Sequence, residues 1–173
     1  MSTFRPKFIT FDCYGTLIYF EMSNMARKLF ADRVSPEDMP QFTKDFAAYR
    51  LDEVLGAWKP YADVISNSVE RTCKHWKLVY KKSDSEVIYQ AVPTWGPHAD
   101  VSEPLNRIAK EIPLVILSNA MDSQIQSNVA NLGAPFTHVF TAEQAQAYKP
   151  RMQAFEYMLS LIHISEPTRP SQI

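Results

Sequence analysis

Three short polar stretches of this chain hold residue types that nucleophilic chemistry needs. Asp12 stands inside Lys7–Ile18, KFITFDCYGTLI, Ser118 and Asn119 follow the run PLVIL, and Lys149 precedes Pro150. A carboxylate such as Asp12 can attack carbon or ligate a metal, and an amine beside it favours the charged, nucleophilic form. A hydroxyl and an amide next to backbone N–H groups can receive an anion. Each stretch also has a plain structural use. Asp12 can cap a turn in which Gly15 takes a positive φ, Ser118-Asn119 can be a turn, and Lys149 can be a solvated residue at a helix start.

The elements decide whether these groups meet. Phe8, Ile9, Thr10 and Phe11 form an apolar, β-favouring run without polar alternation, as expected of a strand buried on both faces of a parallel sheet. Glu21 to about Gln90 reads as helices. Ser23 is a candidate cap for a segment with Met25, Leu29 and Phe30, and Ser35-Pro36-Glu37-Asp38 reads as a helix start before Phe42, Phe46 and Tyr49. Tyr61, Ile65, Val69, Cys73 and Trp76 lie on one face of a further helix, and Ser83-Asp84 opens a short one. Two prolines and a glycine in Val92–Pro97 mark a hinge. Helix (Val101–Glu111), strand (Pro113–Leu117), helix (Asp122–Leu132, closed by Gly133), strand (His138–Phe140) and a helix from Arg151 then alternate. That alternation predicts an α/β fold with βαβ crossovers and a parallel sheet, whose strand ends would gather Asp12, Ser118-Asn119 and Lys149 at one edge.

Composition removes several classes. Apolar residues make up 46% of the 173, enough for a packed core, and the net charge is −1. That balance argues against a nucleic-acid or membrane-surface protein. Cys13 and Cys73 are far apart and lack metal-ligand spacing, so no disulfide framework is expected, and a reducing, cytoplasmic setting is. No apolar stretch reads as a signal peptide or as long enough to span a bilayer. His75, His98 and His138 are scattered and receive no role.

D-x-x-G-T-L after a strand, S-N after a later strand and K-P before a helix, in that order, resemble motifs one to three of the haloacid dehalogenase superfamily. Phosphatases of that superfamily carry a second Asp two residues after the nucleophile, where this chain has Tyr14. FDCYGTL, LSNA and YKP are similar to the type II branch, the (S)-2-haloacid dehalogenases. The resemblance covers about Lys7 to Met158. It implies a Rossmannoid core over 1–18 and 93–158 with an inserted helical cap over 19–92.

The resemblance also implies roles. Asp12 attacks C2 of a small 2-haloacid and expels halide, which needs no proton from an acid beside the nucleophile. Thr16 orients the carboxylate, and Lys149 keeps it charged. The amides of Cys13 and Tyr14 receive the substrate carboxylate with Ser118 and Asn119. Arg50 matches by position the arginine that meets the halide, its alternative being a surface helix arginine. No metal and no cofactor are implied, and a homodimer is. Two departures stand out. Phe155 holds a position where the branch has tyrosine, and motif four with its strand, which would pair with the strand carrying Asp12, does not follow. The run Leu159–Arg169, LSLIHISEPTR, matches the translation of an adapter used in sequencing libraries. Residues 159–173 are therefore expected to be an artefactual tail, the last core strand or strands to be missing, and this chain to turn over poorly if at all. Two other readings remain open: a Mg²⁺-dependent phosphatase, and a non-catalytic interaction module using exposed Trp58, Tyr61 and Trp76.

Overall fold

The structure, a computed structural model, describes residues 5–162. Its sheet has three parallel strands in the order β1 (Ile9–Phe11), β2 (Leu114–Ser118), β3 (His138–Thr141). Ile9 pairs with Leu114 and Phe11 with Ile116, while Val115 to Ser118 pair with His138 to Thr141. β2, in the middle, is buried at every residue, which explains its unbroken apolar run. β1 starts one residue later than the run beginning at Phe8 suggests.

Side chains alternate across β2, so its two faces feed different cores. Leu114 and Ile116 join Leu105 of α5 (Ser102–Ile108) and Ile125 and Leu132 of α6 (Asp122–Leu132). Val115 and Leu117 join Phe140, Met158 and Ile162. The last two belong to α8 (Met152–Ile162), whose buried Ala154, Met158 and Ile162 recur every four residues. That stripe carries the helix through Leu159, Ser160, Leu161 and Ile162, where the sequence reading ended it at Met158. The rest of the expected tail lies outside the described residues. Gly133 closes α6 in the left-handed region, at φ +62°.

Five α-helices come between β1 and β2, and the four before α5 form a block of their own: α1 (Met22–Leu29), α2 (Met39–Leu55), α3 (Tyr61–His75) and α4 (Lys82–Ala91). They pack on their own aromatics, with Phe30 and Phe42 rings 4.8 Å apart and Phe42 and Trp76 5.7 Å apart. Ser35 does not cap a helix. Its Oγ accepts from the Asp38 amide (3.1 Å) in a turn, and α2 begins only at Met39-Pro40. Ser23 lies inside α1. A single 3-10 turn, Val92–Thr94, leads back to the sheet, and the two connecting strands of chain run side by side. The Tyr19 amide donates to Gly96 (3.0 Å) and the His98 amide to Leu17 (3.1 Å). The four-residue α7 (Ala142–Ala145) was not anticipated, being too short for any periodicity to betray. Among the described residues, no helix is long and apolar enough to cross a membrane.

Candidate active site

Asp12 is the first residue beyond β1, and the turn after it is made by its own backbone. The Cys13 carbonyl accepts from the amides of Thr16 (3.3 Å), Leu17 (2.8 Å) and Ile18 (3.0 Å), and the Gly15 amide donates to Ile18 (2.7 Å). Gly15 sits at φ +83°, which any side chain would strain. The amides of Cys13 and Tyr14 are not among the turn's donors. The carboxylate it presents remains 44% exposed, open to a ligand.

Lys149 reaches it. Nζ donates to Asp12 Oδ1 at 2.6 Å and to the Leu117 carbonyl, also at 2.6 Å. The segment bearing Lys149 is held by Asn119, whose Oδ1 accepts from the Lys149 amide (2.7 Å) and whose Nδ2 donates to the Lys149 carbonyl (3.0 Å). Asn119 therefore positions the lysine. Ser118 ends β2 at 1% exposure, and its Oγ has no hydrogen-bond partner.

The helical block supplies the opposite wall. Arg50 of α2 lies over the Phe20 ring (4.8 Å) and donates through Nη1 to the Tyr61 hydroxyl at 3.5 Å, while its buried Nε has no partner. Asp12, Tyr14, Arg50, Ser118, Asn119 and Lys149 all line one cavity of about 250 Å³. Phe20, Leu51, Val54 and Trp95 give it an apolar side that sequence reasoning missed, since those residues come from three separate segments. Two sequence-chosen residues stand apart from its wall. Thr16 is exposed on the turn, and Cys13 is fully buried beneath it. Burial, and then the Asp12 charge, push the Cys13 thiol up to about 12, so it stays protonated and unreactive.

Tyr14 donates its hydroxyl to Asn128 Oδ1 at 2.8 Å, and burial raises its pKa first, with Cys13 next. Asn128, wholly buried on α6, in turn donates Nδ2 to the carbonyls of Val92 (3.0 Å) and Trp95 (2.8 Å), tying the hinge to the core. Only a contact across the chain reveals that residue. Phe155 packs with Val115 and Leu117 on the other face of the sheet. Trp58, Tyr61 and Trp76, which the interaction-module alternative would use as an exposed docking face, are packed inward. Tyr61 is 6% exposed, Trp58 lies 4.8 Å from the Tyr148 ring, and Trp76 donates Nε1 to Asp45 (3.0 Å). Among the described residues, no group of three or more His, Cys, Asp or Glu is placed to hold a metal ion.

No protein-family profile matches the chain. It is 23% identical over 152 residues to (S)-2-haloacid dehalogenase 2 of Pseudomonas sp. strain CBS-3, covering 86% of this chain and 66% of that protein. It is 24% identical over 152 residues to haloacetate dehalogenase H-2 of Moraxella sp. strain B, covering 86% and 68%. Among solved structures it superposes on the L-2-haloacid dehalogenase of Xanthobacter autotrophicus with chloropropionic acid covalently bound. The TM-score there is 0.74 at 21% identity, over 92% of this chain and 66% of that one. A HAD-hydrolase of Bacillus subtilis bound to magnesium superposes with TM-score 0.73 at 14% identity, covering 94% and 75%. The chain thus spans about two thirds of the length of the curated relatives it matches. Those two relatives and the Xanthobacter structure are all haloacid dehalogenases by name, and the chain shares the fold of the two solved structures.

Proposed function

We propose that the protein is a hydrolase of carbon–halogen bonds that converts small (S)-2-haloalkanoic acids to 2-hydroxyacids through an ester on Asp12. One observation carries the reading. The buried donors without a partner, Arg50 Nε and Ser118 Oγ, line the same cavity as the Asp12–Lys149 pair. Unpaired buried donors are rare, because each has lost its water without replacement, and two in one cavity call for an anionic ligand.

The chemistry follows from the atoms. Lys149 holds Asp12 Oδ1, leaving Oδ2 to attack C2 of the substrate from the side opposite the halogen. The new C–O bond forms as the carbon–halogen bond breaks, and the halide leaves with the electron pair. Negative charge moves from Asp12 to the halide, so a fixed cation at the halide lowers the barrier, which is the role assigned to Arg50. Ser118 Oγ, with the Cys13 and Tyr14 amides, receives the substrate carboxylate. Water then adds to the Asp12 ester carbon, freeing a 2-hydroxyacid of inverted configuration and restoring the carboxylate. Helices α1–α4, over 19–92, act as a cap that excludes bulk water during displacement.

Tyr14 weighs against the phosphatase reading. It stands where that chemistry needs an acid, its proton is given to Asn128, and burial makes it a weaker acid still. The buried free thiols Cys13 and Cys73 suit the cytoplasm we propose as its location.

The test is to incubate the chain with (S)-2-chloropropionate, measure chloride, and look by mass spectrometry for the ester on the Asp12 peptide. Ester from the (S) but not the (R) enantiomer, absent in Asp12→Asn, is the expected result. Mg²⁺-dependent phosphate release from a phosphate monoester, with no ester from either haloacid, would replace this reading with the phosphatase.

A further inference from the structure

Away from the paired linkers, cap and core touch where Gln124 donates to the Tyr89 carbonyl (3.0 Å) and where the Tyr61 amide meets Met121 Sδ (3.5 Å), and at one further place. There the cap loop between α2 and α3 meets the segment that carries Lys149. The Tyr148 hydroxyl donates to the Lys59 carbonyl at 2.9 Å, and its ring lies 4.8 Å from Trp58 and 6.4 Å from Tyr61. Arg151 Nη2 donates to the Leu55 carbonyl at 2.6 Å. The cap loop is itself anchored, since the Lys59 ammonium pairs with Glu53, which also accepts from Asn67 (3.0 Å) and Arg71 (2.7 Å). Tyr148 is 1% exposed, yet nothing in the reaction above uses it.

We propose that Tyr148 is a positioning residue that links seating of the cap loop at Lys59 to the placement of Lys149 against Asp12. Its catalytic consequence rests on the dehalogenase reading, whereas the contact itself does not. Tyr148 and Lys149 share a peptide unit, and Asn119 grips Lys149 on its amide in that unit and on its carbonyl in the next. A ring and hydroxyl fixed to the cap on one side of that unit therefore restrain the ammonium on the other. Lifting the cap removes the hydroxyl's acceptor and the Trp58 ring contact together, and the segment keeps only its core contacts. Seating it brings Arg50 over the cavity and fixes Lys149 in the same movement, so charge at the nucleophile and charge at the leaving group are assembled as one event.

The test uses this chain with Tyr148→Phe, which keeps the ring, and Arg151→Ala, which removes a surface donor and leaves the core intact. Tyr80→Phe, whose hydroxyl bonds only within the cap to Ser66 and Ser85, is the control. Hydrogen exchange is followed in peptides covering 56–61 and 146–151, alongside the single-turnover rate of Asp12 ester formation at saturating (S)-2-chloropropionate. Tyr148→Phe should speed exchange in both peptides together and slow ester formation about tenfold, with substrate affinity little changed, as expected for loss of one buried hydrogen bond. Arg151→Ala should shift both readings the same way but less, and Tyr80→Phe should shift neither. Faster exchange at 56–61 without a matching rise at 146–151, or an unchanged ester rate, overturns the proposal. If the wild-type chain forms no ester, the dehalogenase reading fails, and the paired exchange response still judges the linkage.

Discussion

The Ser118 hydroxyl is buried at the end of β2 and bonded to nothing, so its native contribution to stability is negative or nil. Ser118→Ala should leave the thermal midpoint unchanged or raise it slightly, while lowering kcat/KM for a 2-haloacid by roughly tenfold or more. The second figure follows from the loss of a hydrogen bond to a charged group, about 1.5–3 kcal/mol. Thermal denaturation and steady-state kinetics on the same preparation check both halves. A fall in stability without a fall in kcat/KM would return Ser118 to an ordinary structural role. Asn128 is the opposite case. Its side chain serves Tyr14, Val92 and Trp95 at once with no exposure, so Asn128→Ala should destabilise the fold by about 2–4 kcal/mol in urea denaturation.

Among elements, α2 and α3 are joined by ions as well as by apolar packing, since Glu53 meets Asn67 and Arg71 beside the buried Val54, Val64 and Ile65. Burial by itself would raise the Glu53 pKa, but hydrogen bonds from Lys59, Asn67 and Arg71 outweigh it and lower it from 4.5 to about 2. A carboxyl lowered on folding stabilises the native state fully above its unfolded value and loses that contribution as protons bind. Wild-type stability should therefore fall as pH drops from about 4.5 towards about 2, and Glu53→Gln should show a flatter profile over that window. Circular-dichroism melts across the range would show it. Parallel profiles for the two proteins would mean that other carboxylates dominate acid unfolding.

At the scale of the whole molecule, β1 pairs with β2 along one side only among the described residues. Thr10 at its centre is exposed. An apolar strand with one free edge is a template for pairing with another chain. The weight-average mass measured by light scattering should rise with protein concentration, and Thr10→Lys should suppress that rise by adding charge beside the free edge, without altering the cavity. A monomer mass independent of concentration in the wild type would show the edge to be protected.

Much of this molecule was legible in its sequence. The parallel α/β layout followed from apolar runs that end in turns, but the expected burial on both faces holds for central β2 and not for β1, whose edge position leaves Thr10 exposed. The approach of Asp12 to Lys149 followed as well, since residues just beyond parallel strands share an edge. Local signals ran out where partners are distant. Asn119, read as a ligand for substrate, spends its amide on the Lys149 backbone thirty residues on. Tyr14 and Asn128 meet across 114 residues, and no spacing rule links them. Ser35 kept its hydrogen bond but made a turn, because Pro40 starts α2 later. The apolar wall of the cavity and the seat of Tyr148 on the cap belong to the same group. Periodicity and turn chemistry are properties of neighbours in the chain, so sequence alone determined the elements and the order of the strand-end groups. Which polar atoms find partners, and which stay buried without one, depends on contacts that only packing of cap against core creates.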